Sequence, residues 1–368
     1  MANAAVGTAK AGSAIVGGAA GTGNTVSSDV TVNLSLTKAV GKSGFGIPLI
    51  LAGGQKTDIP YTECVDIDEV RDACGNDSPI TSAAALMLSQ STERFKIAVR
   101  AVTGKSTDEI ANLFGKDWRQ LVVPTEGAEG ESTVTEISDM IEKSDREYFA
   151  TVRDLNAVPS HGIPAVVKGK ETQIPRDRTV GFYYPTAGVS AAAALVGAIA
   201  QKQPGTYTCK NLILKNMDPL ELDDAAVQTI HDKGCLTFVT KAGDNVTTEG
   251  KTIGGEYIDI MDGKDYIIYR IQHDSQRILN QSSKVPYNNN GIAQLEAACV
   301  GVMKDCYGDG NLIIATGSDG KPAYTVKYGQ LSQASAEDRE KRHYSLGHFS
   351  FSLLGAIHSA EINGNIIV

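Results

Sequence analysis

The chain has 368 residues, of which 42% are hydrophobic and 21% charged, and its formal net charge is −9. This length is enough for two or three domains, and the composition is that of an ordinary globular protein. Acidic and basic residues are interspersed, so the sequence lacks the concentrated positive face that nucleic-acid binding requires. It also lacks an apolar stretch of about eighteen residues, so we expect no insertion into a membrane.

The N-terminus and the cysteines favour a protein made in a reducing cytoplasm. Lys10 is not followed by a leucine-rich segment, so we expect no secretion signal. None of the six cysteines belongs to a C-x-x-C pair, which favours reduced, mostly buried thiols over disulfides or metal ligands. The cysteines are residues 64, 74, 209, 235, 299 and 306.

A glycine-rich stretch near the start, "IVGGAAGTGNT" (15–25), is similar to a phosphate-binding loop. Gly18, Gly23 and Thr25 have the spacing of G-x-x-x-x-G-K-[ST], but Asn24 replaces the lysine that reaches the terminal phosphates. No strand of useful length precedes the stretch, and no helix follows it to direct an N-terminus at a phosphate. We therefore expect no nucleotide, and no other cofactor, to bind.

The first 45 residues divide into two segments. Residues 1–28 are half glycine and alanine and cannot bury enough apolar surface to fold alone, so we predict a flexible N-terminal arm. Within residues 29–45, apolar residues alternate with polar ones from Val30 to Leu36, which predicts a strand. We expect 29–45 to be a linking strand joined to the C-terminal domain. The alternating apolar residues are Val30, Val32, Leu34 and Leu36.

Residues 46–250 alternate between strand and helix patterns, which predicts an α/β domain with a mostly parallel sheet. A segment with three prolines, 155–178, interrupts this order and is predicted to be a small excursion. The predicted strands are 47–52, 95–102, 120–124, 179–185, 211–215 and 236–240. The predicted helices are 66–73, 79–90, 106–114, 132–143, 189–201 and 222–233.

Residues 251–354 predict a C-terminal domain that mixes helices and strands. Two long helices, 260–281 and 290–307, carry apolar residues at steps of three and four, and the second places Cys299 and Cys306 in its apolar stripe. Short strands follow, then the charged run "SAEDREKR" (335–342). The chain ends in two alternating stretches separated by "HSAE".

No group of residues has the pattern of a catalytic or metal site. The sequence has no G-x-S-x-G nucleophile motif, and its six histidines are scattered. His343 and His348 are five residues apart in a predicted strand and would face opposite sides of a sheet. Asp66, Asp68 and Glu69 lack the correctly placed glycine and closing glutamate of a calcium loop. We therefore predict that the protein is not an enzyme.

The two ends of the chain carry the most informative signal. A terminal apolar strand promotes aggregation unless another surface covers it, and it can complete the sheet of a neighbouring molecule by edge addition. A strand of about six residues adds about four to six main-chain hydrogen bonds, each worth about 1 kcal/mol net. We therefore predict that both arms pair with adjacent copies. The residues assigned to this pairing are Val30, Val32, Leu34, Leu36, Ile357, Ile362, Ile366, Ile367 and Val368.

With these features, the chain resembles the contractile tail sheath proteins of bacteriophages and phage-tail-like particles. The resemblance covers most of the chain in the same order, and its motifs are diffuse. It rests on "SLTKAVGKSGFGIPLILAG" (35–53), "DIDEVRDACGNDSPITSAAALMLSQ" (66–90), "RFKIAVRAV" (94–102), "DRTVGFYYPTAGVSAAAALVGAIAQKQPGTYTCKNLILKNM" (177–217), "LDDAAVQTIHDKGCLTFVTKAGDNVTTEGKTIGGEYIDIM" (222–261) and "YIIYRIQHDSQRILNQSSKVPYNNNGIAQLEAACVGVMKDCYGDGNLI" (266–313).

The resemblance implies a structural subunit that polymerises as stacked hexameric rings around an inner tail tube and contracts to drive the tube through a cell envelope. It implies a subtilisin-like α/β sheath domain without that protease's catalytic residues and an α+β C-terminal domain. It also implies arms, 1–36 and 355–368, that exchange strands between subunits. The implied partners are other copies of the chain, the tail tube protein, and baseplate and tail terminator proteins. The implied location is the virion tail, assembled in the host bacterial cytoplasm.

In such proteins the contact with the tube lies on a charged helix before the last strands. The matching residues here are Glu337, Asp338, Arg339, Glu340, Lys341 and Arg342. Their mixed signs leave the complementary pattern of the tube open, and the alternative is that this stretch is only a solvated loop.

Other functions remain open at this point. A nucleotide-binding α/β enzyme predicts a thermal shift with nucleotides and a small closed oligomer. A non-contractile tail or shell protein also exchanges strands, but it is normally smaller and richer in strand. The remaining alternative is a soluble α/β protein with frayed ends.

Overall fold

A computed structural model describes residues 45–124, 133–167, 170–308 and 313–359. Its central element is a seven-stranded sheet, in which every neighbouring pair is parallel except the pair at one edge. This confirms the predicted α/β class with a mostly parallel sheet. In spatial order the strands are β2 (Ile59–Cys64), β3 (Ile97–Ala101), β1 (Ile47–Ala52), β4 (Trp118–Val122), β5 (Glu147–Val152), β8 (Thr179–Tyr183) and β9 (Cys235–Leu236).

Both faces of the sheet are covered, because successive side chains of each strand point to opposite sides. In β1, Ile50 and Ala52 belong to one core cluster, and Leu49 and Leu51 belong to the other. A strand that is buried on both faces therefore has a continuous run of apolar residues in its sequence. The first cluster packs on α1 (Ile67–Cys74), α2 (Pro79–Leu88) and α5 (Ala191–Ile199), and the second on α3 (Ser106–Leu113) and α4 (Val134–Ile141).

Smaller elements are attached to this α/β layer. The predicted excursion contains an antiparallel hairpin of β6 (Gly162–Val167) and β7 (Lys170–Pro175). Helix α6 (Asp224–Asp232) precedes β9 at the edge of the sheet, and a second hairpin follows, formed by β10 (Phe238–Lys241) and β11 (Asp244–Thr247).

The C-terminal part is built on two long helices, α7 (Ile258–Gln281) and α8 (Asn289–Tyr307), close to the predicted ranges. Their apolar faces form a third core cluster, to which Cys299 and Cys306 belong as predicted. A two-stranded antiparallel sheet of β12 (Tyr324–Tyr328) and β13 (Gly347–Phe351) packs on this cluster. The connection between the two strands contains α9 (Ala336–Glu340).

Four features of the sheet differ from the sequence-based prediction. Strand β5, in the interior of the sheet, was not predicted, because it begins within the charged residues 145–147. The predicted strand 236–240 is divided between β9, in the sheet, and β10, in a hairpin. The predicted strand 211–215 is wrong, because Asn211 and Asn216 both have left-handed backbone angles (φ 62° and 57°) and the segment between them is irregular. Strand β2 was not predicted, because it contains Pro60 and its alternation is weak, as is typical of a half-exposed edge strand.

Most of the cysteines are buried, as the sequence predicts. Five of the six cysteines are buried, and Cys74 is half-buried. Cys64, Cys209 and Cys235 lie in the α/β layer, whereas the other two buried thiols lie on α8. Every helix in the described ranges is too short or too polar to cross a membrane.

Candidate assembly surfaces

A buried cluster of charged side chains lies where α7 meets the central sheet. Arg119 is the second residue of β4, Glu147 is the first residue of β5, and Arg178 immediately precedes β8. Asp262 and Asp265 approach them from the first turns of α7. Because these strands are parallel, the cluster gathers at the amino ends of the strands. All five side chains are at most 9% exposed.

Arg119 is at the centre of this cluster. Its guanidinium donates hydrogen bonds of 2.8 Å to both Glu147 Oε1 and Asp262 Oδ1. A third hydrogen bond of 3.0 Å reaches Asp265 Oδ2. Arg178 donates to both carboxylate oxygens of Asp265, at 2.7 and 3.2 Å. Paired and bidentate contacts of this kind satisfy charges that would otherwise be very unfavourable in a protein interior.

In this cluster two guanidinium groups face three carboxyl groups. Burial raises the pKa of Glu147 well above its ordinary value. Burial also opposes ionisation of Asp265, but Arg178 and Arg119 hold the pKa of that carboxyl well below its usual range.

We assign the cluster a structural role. Ligands of open α/β sheets bind at the carboxyl ends of the strands, whereas this cluster lies at the amino ends and its side chains are buried. The ring of Phe45, the first described residue, covers Arg119 with 4.5 Å between the ring centre and Cζ. The same ring makes an edge contact of 5.5 Å with Tyr266 of α7. The cluster therefore fixes α7 to the α/β layer.

The histidines are held separately. His161 bonds the backbone oxygens of Ile253 and Asp232, and His231 bonds Thr248. No group of three or more His, Cys, Asp or Glu side chains in the described ranges is arranged to hold a metal.

The residues predicted to face the tube lie on or directly after α9. Ser335 begins this helix and accepts a hydrogen bond of 2.9 Å from the Asp338 backbone. The side chain of Asp338 accepts a bond of 2.8 Å from Ser345. Lys341 is paired with Glu337, one turn earlier. Of the six predicted residues, Asp338 is half-buried, and the other five are exposed and carry both signs of charge. The exposed five are Glu337, Arg339, Glu340, Lys341 and Arg342.

The sheet of β12 and β13 contains two strands in the described part of the chain. One of its faces packs on the helices, whereas Thr325 and Ser350 on the other face bond each other at 2.8 Å and are exposed. The chain then continues past Leu353, which bridges to Ile314, into an exposed segment. Each strand therefore has an outer edge at which a further strand could pair.

The predicted arm residues are mostly outside the described ranges. Ile357 is described, and it is 88% exposed. The other eight lie outside: Val30, Val32, Leu34, Leu36, Ile362, Ile366, Ile367 and Val368. The buried cluster was not found from the sequence, although Asp262 and Asp265, three residues apart on the predicted helix 260–281, were an available signal.

No protein-family model matches the sequence, and no curated protein sequence matches it. Solved structures match over almost the whole chain. A chain in the cryo-EM structure of the anti-feeding prophage (AFP) baseplate has a TM-score of 0.66 at 11% identity, covering 92% of this chain and 98% of that chain. The AFP helical sheath in its contracted state has a TM-score of 0.63 at 12% identity, covering 91% and 97%.

The sheath complex of an extracellular contractile injection system, PVC, in its contracted state has a TM-score of 0.55 at 11% identity, covering 93% and 98%. At these identities the likeness shows the fold, and it spans the α/β layer as well as the C-terminal part. This chain therefore has the fold of contractile tail sheath proteins, as the resemblance of its sequence predicts.

Proposed function

We propose that this protein is the structural subunit of a contractile tail sheath. It polymerises as stacked hexameric rings around an inner tube and contracts to drive the tube through a cell envelope. The observation that carries this proposal is the extent of the structural match: 91% of this chain superposes on 97% of a helical sheath subunit. A shared domain alone would leave part of one chain unmatched.

The proposal assigns partners to the two arms and to the charged segment 337–342. The segments 1–36 and 355–368 pair with the sheets of adjacent copies, and the candidate edges are those of β12 and β13, which form a two-stranded sheet within the described ranges. The exposed charges of 337–342 face the tube protein. Baseplate and terminator proteins cover the two ends of the sheath, and the protein is located in the tail of the particle.

In this proposal contraction is a rearrangement of nearly rigid subunits. The arm pairing persists, while other faces of the subunits exchange partners. The buried cluster around Arg119 supports this, because it joins α7 to the sheet by charged bonds that would be costly to break. The extended state then stores its free energy in contacts between subunits, and no bound nucleotide is needed.

Negative-stain electron microscopy of the purified full chain tests the proposal. We expect long tubes from the wild type, and a folded monomer without tubes when residues 359–368 are deleted. Circular dichroism confirms that the shortened chain is folded. Normal tubes from the shortened chain would contradict strand exchange by the C-terminal arm. A small closed wild-type oligomer that nucleotides stabilise would instead support the enzyme alternative.

A further inference from the structure

The last described segment contacts the subunit body through the mostly buried side chain of His358. After the bridge at Leu353, the chain runs outward, with Leu354 40% and Ile357 88% exposed. The next residue, His358, turns back, and its side chain is only 12% exposed. An imidazole that is mostly buried at the end of an exposed segment needs a specific set of contacts.

Those contacts come from three separate segments. His358 Nε2 lies 2.9 Å from the hydroxyl of Thr208. Its Nδ1 lies 3.6 Å from Glu249 Oε1. The edge of the imidazole meets the ring of Tyr257 at 5.0 Å and 81°. The ring therefore makes a hydrogen bond with a hydroxyl and an edge contact with an aromatic ring, while a carboxylate lies near its second nitrogen.

The site is held in place by bonds that do not involve the histidine. The hydroxyl of Thr208 accepts from the Lys210 backbone at 3.3 Å, and Lys210 Nζ lies 3.9 Å from Glu249 Oε2. Tyr257 is the residue before α7, and Lys251 lies over its ring at 4.9 Å. The site is thus a preformed part of the α/β layer and the start of α7.

We propose that His358 is a positioning residue that docks the C-terminal end of the chain on its own subunit. Within the arm 355–368, this docking assigns the pairing with adjacent copies to the residues after His358. Those residues then start from a fixed point, which limits the neighbouring edges that they can reach. A tethered strand pairs more readily when its starting point is fixed, because less chain entropy is lost on pairing. This inference rests on the proposed function only for what the docked end does next.

Limited proteolysis of the unassembled chain tests the docking directly, with cleavage after residues 354–359 measured by mass spectrometry. We expect cleavage about tenfold faster in His358→Ala than in the wild type, because cleavage follows the population of the undocked segment. Thr208→Val removes the hydroxyl that bonds His358, and we expect this variant to be cleaved severalfold faster than the wild type. Gln at position 358 keeps a side-chain donor, so we expect His358→Gln to restore part of the protection.

His348→Ala is the matched control, because this histidine is exposed on β13. We expect this variant to be cleaved at the wild-type rate. Cleavage of both His358→Ala and Thr208→Val within twofold of the wild type, with unchanged melting temperatures, would overturn the docking. Wild-type chains that never form tubes would overturn the proposed function, and the proteolysis rates would still decide the docking.

Discussion

Arg119 is the residue whose replacement we expect to destabilise the subunit most. Arg119→Met leaves the carboxyl groups of Glu147, Asp262 and Asp265 buried without their shared cation. Breaking a buried charge network from one side is unfavourable by about 3–5 kcal/mol. Urea unfolding followed by circular dichroism measures the loss.

Arg71→Met is the control for that measurement. Arg71 pairs with Asp68 on the surface of α1, and the two side chains are 46% and 83% exposed. Exposed pairs contribute about 0–1 kcal/mol, so we expect little change. Equal effects of the two substitutions would contradict the structural role of the cluster.

Glu142 makes the stability depend on pH. Burial raises its pKa from 4.5 to about 7, although hydrogen bonds from Thr179 and the Arg178 backbone partly oppose this shift. The folded state thus holds the proton more tightly than the unfolded state. The contribution is complete below about pH 4.5 and is lost as the pH rises through about 7.

We therefore expect the free energy of unfolding to fall by about 2 kcal/mol more in the wild type than in Glu142→Gln between pH 5 and pH 8. Urea midpoints of both proteins at the two pH values give this difference, and other titrating groups cancel in the comparison. Parallel pH profiles would show that Glu142 titrates normally.

At the scale of elements, the contact between α2 and α5 has no spare space. A Cβ atom at Gly197 of α5 would lie 2.0 Å from the Met87 carbonyl oxygen of α2. We expect Gly197→Ala to lower the stability by about 2 kcal/mol or more, because it forces the two helices apart. Thermal unfolding and urea titration both measure this.

Gly301→Ala on α8 is the matched substitution. A Cβ atom there meets nothing within 4 Å. Since alanine favours a helix interior over glycine, we expect no loss and a gain of up to about 1 kcal/mol. If Gly197→Ala behaves like Gly301→Ala, the α2–α5 contact is looser than described.

Elements with strong local signals could be predicted from the sequence. Helix α6 begins where Asp223 accepts a hydrogen bond of 2.7 Å from the Ala226 backbone, and it is followed by Gly234 at φ 75°. The stretch 211–215 contains three consecutive apolar residues, 212–214, which is typical of a buried strand. The prediction of a strand there was wrong, because two asparagines, at the start of the stretch and directly after it, have left-handed backbone angles, which are incompatible with a regular strand. A pattern of apolar residues carries no information about backbone handedness.

At the scale of the whole molecule, the contacts that could not be predicted join residues far apart in the sequence, about which local patterns carry no information. Residues 119, 147, 178, 262 and 265 meet only after β4, β5, β8 and α7 have been placed. The docking of His358 on Thr208 joins residues 150 positions apart. The resemblance to sheath proteins supplied the global arrangement, and the structural matches confirm that fold.

The positions of the buried thiols make the two parts of the subunit separately observable. Burial raises the pKa of Cys235 to about 12 and that of Cys299 to about 11, so both resist alkylation while their surroundings stay closed. A thiol reagent added during a slow denaturant ramp would mark each cysteine when its part opens. If the cysteines of the α/β layer and those of α8 are alkylated at the same denaturant concentration, the subunit unfolds as a single cooperative unit. If the α8 cysteines are alkylated at a lower concentration, the C-terminal part unfolds first.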